Sequence, residues 1–315
     1  MFKLVIVGTV CALSAMVSGK SHPINNNIVA EIKAKAHGWE AHTPETNPLR
    51  HHTREELLNL VGTNIDFEAK AVSTDKASYN ATPASFDPRT EKFSKCIHPI
   101  RDQQQCGSCW AFGATEALSD RFCINGKDLI LAPQDPVSCD SNNYGCDGGY
   151  LNYVWQYFTD TGVVTEACWP YTSGGGDSGT CRNSCSGSGQ TWTKNRCKAN
   201  SVVHPTTVQG IKDELYNNGP MEAAFTVYDD FFNYKSGVYY HVSGGVAGGH
   251  AIKMLGWGTE SGMDYWLCAN SWGGSWGMSG FFKIKQGDSG INGQLYACTP
   301  QTSDCLLYTS PSPRD

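Results

Sequence analysis

The sequence predicts an α+β fold, with a helical half over about residues 84–200 and a β half over 201–304. Three observations carry this. Apolar residues recur at helical spacing from about Ser108 to Phe122 and from about Tyr150 to Thr159. After Pro220 they fall into short runs parted by turn residues. Ten of the twelve cysteines between residues 84 and 304 lie in the first half.

Composition narrows the class. Of 315 residues, 17% are charged and 40% hydrophobic, which excludes a disordered chain. A net charge of −6 leaves no basic footprint for nucleic acid. Fourteen cysteines point to an oxidising compartment.

The elements follow in order. Met1-Phe2-Lys3, an apolar run from Leu4 to Val17 and then Ser18-Gly19 describe a secretory signal peptide, residues 1–19. That run is too short for a membrane anchor, and nothing after it approaches the roughly 18 apolar residues of a span. Residues 20–83 hold no cysteine and five of the nine histidines. Within them Asn25–Lys35 (Ile28, Ile32) and Thr53–Val61 (Leu57, Leu58, Val61) carry helical spacing. Thr53 and Glu56 form a capping-box pattern. Ser73 to Pro83 reads as an exposed, cleavable linker, with Asn80-Ala81-Thr82 as a glycosylation acceptor.

Trp110, Ala114, Ala117, Leu118 and Phe122 mark the face of one helix, and Leu151, Val154, Trp155 and Phe158 that of the next. A third helix, Val208–Tyr216, stops at Asn218-Gly219-Pro220. Strands are expected at Met221–Val227, Gly237–Val242, Ala251–Gly256, Tyr265–Ser271 and Gly280–Lys285. Residues 305–315 (CLLYTSPSPRD) continue no pattern and read as a translated sequencing adapter, a non-native tail.

The chemistry starts at Cys106-Gly107-Ser108-Cys109-Trp110. Cys109 stands where a helix begins, and the unpaired N–H groups there favour a thiolate, the nucleophilic form. A redox CxxC pair would need a parallel βαβ setting, and a zinc site a second paired cluster. Neither is evident, although Cys181 and Cys185 lie near one another in sequence. A nucleophilic cysteine needs a base. Of His98, His204, His241 and His250, only His250 sits at the mouth of an apolar run beside glycines. His98 and His204 precede prolines in polar segments and read as surface residues. Asn270, at a strand end, could accept from the imidazole and fix its tautomer.

Gln103…Cys106-Gly107-Ser108-Cys109-Trp110, Gly249-His250-Ala251 and Asn270-Ser271-Trp272-Gly273 together resemble the papain-like cysteine proteases. Cys146-Asp147-Gly148-Gly149-Tyr150 and Phe231-x-x-Tyr234-Lys235-Ser236-Gly237-Val238-Tyr239 place the resemblance in the cathepsin B-like branch. It implies a two-domain fold: a helical domain, a β-barrel-like domain and a cleft between them. It implies Cys109 as nucleophile, His250 as acid and base, Asn270 as orienter, and Gln103 with the Cys109 N–H as oxyanion hole. Gly148, Gly149 and Gly249 would bind substrate backbone, and Trp272 would shield His250 and line the leaving-group side. Leu151, Ala224, Ala251 and Gln294 would line a mostly neutral S2 pocket.

The resemblance also implies four disulfides, Cys96–Cys123, Cys106–Cys146, Cys139–Cys181 and Cys168–Cys185. Cys197, Cys268 and Cys298 are left over, and Cys268 could bridge Cys298. Residues 20–83 would be an inhibitory prosegment and 84–304 the protease domain, with acid release through the five histidines as a further expectation. Implied partners are protein and peptide substrates, the chain's own prosegment and cystatin-type inhibitors. The chain is expected to act as a monomer, with no membrane partner once the signal peptide is gone and no cofactor or metal. The expected place is the secretory pathway, ending in a lysosome, food vacuole or the extracellular space. Two departures matter. The Cys168–Cys181 stretch lacks the histidine-bearing occluding loop, which implies an endopeptidase, and Gln294 replaces an acidic S2 residue, which implies apolar P2 preference. The competing readings are a silent peptide-binding homologue and a thiol oxidoreductase.

Overall fold

The computed structural model describes residues 21–65 and 82–302. The signal peptide, Asn80, most of the linker and the tail from Cys305 lie outside the described residues.

The N-terminal segment forms the two expected helices. In α1 (Asn26–Lys35) the Asn25 side chain accepts from the N–H groups of Asn27 and Ile28, and Ile28 and Ile32 are buried. In α2 (Arg54–Asn59) the capping box is complete. Thr53 Oγ1 accepts from the Glu56 N–H at 3.2 Å, and Glu56 Oε2 accepts from the Thr53 N–H at 2.7 Å. Between them lies an unpredicted strand, β1 (Trp39–Ala41).

The helical half holds α3 (Cys109–Ile124), α4 (Gln134–Cys139) and α5 (Leu151–Asp160). Nearly every residue of α3 is buried, which explains its weak one-sided apolar pattern. The third predicted helix is α6 (Val208–Asn218), capped by Thr207 and ended by Gly219 at φ +103°.

The sheet strands are β2 (Met221–Tyr228), β3 (Tyr234–Tyr239), β4 (Val246–Glu260), β5 (Met263–Ala269), β6 (Phe281–Lys285) and β7 (Gln294–Tyr296). They run in the order β1-β3-β6-β5-β4-β2-β7, antiparallel except for β3 against β6. The sheet is open, so the barrel-like closure expected of the β half is corrected. Its edges are the short strands β1 and β7, and β3 spends its outer edge on β1 of the N-terminal segment.

One hydrophobic core joins both halves and the N-terminal segment, from Ile28, Trp39 and Leu57 through Trp110 and Trp155 to Trp276 and Phe282. Trp39 lies 5.2 Å from the Tyr239 ring. Ionic groups cross the interface as well. Lys253 on β4 reaches Asp120 on α3 at 2.8 Å, and Arg121 donates to the carbonyls of Pro220, Gly219 and Cys298.

All four implied disulfides are present. A fifth joins Cys197 to Cys298, so the Cys268–Cys298 alternative is corrected. Lys198 donates its N–H to the Thr299 carbonyl and thereby holds those two segments side by side. Cys268 stays a buried thiol inside β5, facing Met254 and Phe282 in register. His204 is likewise buried rather than on the surface, its ring stacked 4.7 Å from Tyr296 and its Nδ1 2.7 Å from the Leu295 carbonyl. His98 is half-buried between Asp120 and Asp128, at 2.7 and 3.0 Å.

Candidate active site

Cys109 is the first residue of α3 and fully buried. Its sulfur lies 3.0 Å from the Thr63 hydroxyl and is approached by the backbone N–H groups of Gly62, Trp110 and Ala251. Ala251 follows His250 on β4, so the helix start and the central strand meet at this sulfur. Gly113, one turn into α3, allows the approach. A Cβ there would stand 3.3 Å from the Ile252 nitrogen and 3.1 Å from Glu222 Oε1.

The other half supplies the imidazole. His250 Nε2 lies 2.7 Å from Asn270 Oδ1, and that oxygen also accepts the Ser271 N–H. An amide oxygen can only accept, so the imidazole proton sits on Nε2. Nδ1, buried and without a partner among the described residues, keeps its lone pair free for a proton. Trp272 covers the ring with centroids 4.8 Å apart, and is itself backed by Phe232 and Trp276.

Gln103 is buried and held from both ends. Ser271 Oγ donates to its Oε1 at 2.7 Å, while its Nε2 donates to the Cys106 carbonyl at 2.9 Å and the Leu60 carbonyl at 3.2 Å. Tyr171 OH donates to its backbone carbonyl. Ser271 and Tyr171 had not been expected at the site. Only the adjacency of Ser271 to Asn270 in the motif could have flagged it, and nothing local marks Tyr171.

Of the remaining expected residues, Gly148, Gly149 and Gly249 meet residues 62–64. Gly148 has φ +114°, a conformation that glycine adopts freely. Gly149 donates its N–H to the Gly62 carbonyl and accepts the Asn64 N–H, both at 2.9 Å. Gly249 accepts the Thr63 N–H at 3.0 Å, and a Cβ on it would stand 2.1 Å from the Thr63 carbonyl oxygen. Ala251, Ala224 and Gln294 form one cross-strand row over β4, β2 and β7. Leu151 opens α5 and is buried. Residues 60–64 therefore thread the cleft from Gln103, past Cys109, to Gly149 and Gly249.

This cover sets the electrostatics. Burial pushes the Cys109 thiol up, more than the Thr63 hydroxyl and the surrounding N–H groups lower it. Burial pushes His250 down to about 4, against the hydrogen bond to Asn270. Under its cover both shifts favour the neutral forms, thiol and imidazole, against the pull of the helix start towards a thiolate. Among the described residues no group of three or more His, Cys, Asp or Glu could hold a metal ion.

The known proteins agree with this geometry. The family model described as "Papain family cysteine protease" matches residues 82–299. The chain is 48% identical over 231 residues to a gut-specific cysteine proteinase of Caenorhabditis elegans, covering 66% of this chain and 70% of that one. It is 40% identical over 261 residues to the cathepsin B-like CP3 of Giardia intestinalis, covering 80% and 86%. Among solved structures, procathepsin B S9 from Trypanosoma congolense superposes with a TM-score of 0.82 at 30% identity, over 90% of this chain and all of that one. The chain belongs to the papain family of cysteine proteases, as a cathepsin B-like cysteine peptidase with its N-terminal segment laid through the cleft.

Proposed function

We propose that this is the proform of an endopeptidase, in which residues 20–83 block the cleft until they are cut away. The carrying observation is that residues 60–64 occupy the donors and acceptors a peptide substrate needs: Gln103 Nε2, the Gly149 N–H and carbonyl, and the Gly249 carbonyl.

Once uncovered, Cys109 passes its proton to His250 Nδ1, and its sulfur attacks the substrate carbonyl carbon. The oxyanion is held by Gln103 Nε2 and the Cys109 N–H. Imidazolium protonates the leaving amine as the C–N bond breaks, which leaves a thioester. Water, deprotonated by His250, attacks that thioester, releases the acid and restores the thiol. Asn270 keeps the ring oriented throughout.

Cleavage inside chains is supported by the Cys168–Cys181 stretch. It is fastened to the helical half, with the Gln105 N–H on the Gly174 carbonyl, the Cys146 N–H on Ser178 Oγ, and two disulfides at its ends. A neutral row of Ala251, Ala224 and Gln294 supports apolar side chains at P2. Five disulfides fit passage through the secretory pathway to a lysosome-like or extracellular site. The acid working range and cystatin-type inhibitors belong to the same reading.

The test incubates the proform at pH 4–7 and follows chain shortening, labelling by a thiol-directed epoxide, and cleavage of a peptide library. Wild type should shorten to a form starting near residue 84, label at Cys109, and cut internal bonds after apolar P2 residues. Cys109→Ala and His250→Ala should do none of these. Thiol chemistry that survives His250→Ala would replace the reading with a thiol oxidoreductase, and a profile dominated by Arg at P2 would refute the pocket.

A further inference from the structure

The path of residues 60–64 gives the cleft two ends. Asn64 lies at Gly149, Thr63 at Cys109 and Gly249, and Leu60 at Gln103. Beyond Gln103, away from Gly148 and Gly149, stands Asp102. Its backbone pairs with that of Trp272, the residue that covers His250. Its Oδ1 accepts the Gln104 N–H at 2.8 Å, which fixes the side chain on a turn where Gln104 has φ +53°. Its Oδ2 faces Gly273, where a Cβ would stand 3.1 Å away. Gly274 beside it meets nothing within 4 Å.

Asp102 is exposed even with the N-terminal segment in place. Among the described residues no cation pairs with it. The neighbouring Arg101 is committed to Glu166 at 2.8 Å and to the Leu131 carbonyl. A fixed carboxylate with one free oxygen thus overlooks the ground that the leaving-group side of a substrate must cross.

We propose that Asp102 is a specificity residue for the primed side: it favours Lys or Arg at P1′ or P2′ and disfavours a free C-terminal carboxylate there. This rests on the endopeptidase reading. It also supplies a repulsive reason, beyond the missing loop, why chain ends are poor substrates.

The experiment uses enzyme activated from the full-length proform and amidated quenched peptides of one apolar-P2 sequence, with Lys, Gln or Glu at P1′ or P2′. A free-acid version of the Gln peptide ends at P2′. At low salt and pH 6, kcat/KM for Lys should exceed that for Glu by about three- to tenfold, the range exposed charge pairs supply. The ratio should shrink towards one in 0.5 M salt, where screening is nearly complete at these distances. Asp102→Asn, which keeps the acceptor for Gln104, should bring the Lys-to-Glu ratio near one, and Asp102→Glu should restore it. A wild type indifferent to charge, a ratio unmoved by salt, or an Asn variant that keeps the ratio overturns the proposal. A wild type faster on the free-acid peptide than on its amide overturns the endopeptidase reading and the carboxylate-repelling half of the proposal, while the ratio among amidated peptides still decides whether Asp102 selects Lys or Arg.

Discussion

Cys109 and His250 are matched in chemistry and, in this state, opposed in protonation. With the thiol pushed up and the imidazole down to about 4, both favour their neutral forms near neutral pH. The proform's Cys109 should therefore react slowly with a small neutral alkylating reagent at that pH. Removal of residues 21–65 should raise the rate and reveal a thiolate below pH 7. A covered thiol that alkylates as fast as the uncovered one would show that solvent, not burial, sets its state. Gln103 allows a second measurement. Ser271 holds its Oε1 from behind, so Nε2 is pre-aimed at the position the Leu60 carbonyl now fills. Gln103→Ala should lower kcat about 10²- to 10³-fold with little change in KM, since an oxyanion donor acts on the transition state. A loss confined to KM would make Gln103 a ground-state contact.

The N-terminal segment works as three coupled pieces: β1 on the sheet edge, α2 over the Gln103 end, and residues 60–64 in the cleft. Gly62 packs directly on backbone: a Cβ there would stand 2.1 Å from the Gly107 carbonyl oxygen. Gly62→Ala should loosen the cover, so that the intact proform labels with an epoxide several-fold faster while the mature enzyme is unchanged. The five histidines of this segment separate on structural grounds. Among these five, His42 is the one whose ring nitrogen, Nε2, is buried without a partner among the described residues, and Lys235 adds a positive charge nearby. Burial and Lys235 lower its pKa, so the docked segment prefers the neutral ring. That preference is complete above about pH 6.5 and is lost as pH falls below it, so acid should open the proform. His42→Gln should move the activation midpoint to lower pH, and an unchanged midpoint would leave the histidines out of the switch. Much of this scale was legible in the sequence. Asn25 and the Thr53–Glu56 box marked helix starts, and the apolar runs marked five of the seven strands. What escaped had no local signature. Trp39–Ala41 is a strand only because Tyr234–Tyr239 offers it an edge, Gln294–Tyr296 only because β2 does, and α4 carries a proline that hides its period. The catalytic motifs were legible for a different reason, since their residue types are fixed by chemistry; Ser271 lies inside one of them, whereas Tyr171 and Thr63 reach the site through tertiary contact.

The whole molecule depends on how its halves are clamped, because Cys109 comes from one and His250 and Asn270 from the other. Part of the clamp is ionic. Lys253, three residues after His250, reaches Asp120 at 2.8 Å and Glu116 at 3.8 Å, all three essentially without solvent access. His98 holds the far oxygen of Asp120. Glu116 keeps its proton unusually well. Burial raises its pKa to about 7, against the attraction of Lys253, and its Oε1 has no partner among the described residues. A carboxyl that holds its proton more tightly when folded stabilises the fold fully below about 4.5, and that contribution is lost as pH rises through about 7. His98, raised by its bond to Asp120, loses its contribution in the same direction. The interface should thus weaken on the alkaline side. Glu116→Gln removes the proton linkage while keeping the shape, so it should flatten the fall in melting temperature between pH 5 and 8 and lengthen activity half-life at pH 7.5. Lys253→Met, by contrast, strands the buried Asp120 charge and should cost about 3–5 kcal/mol at neutral pH, less in acid. If Glu116→Gln leaves the alkaline slope intact, the pH limit of the enzyme lies outside this carboxyl.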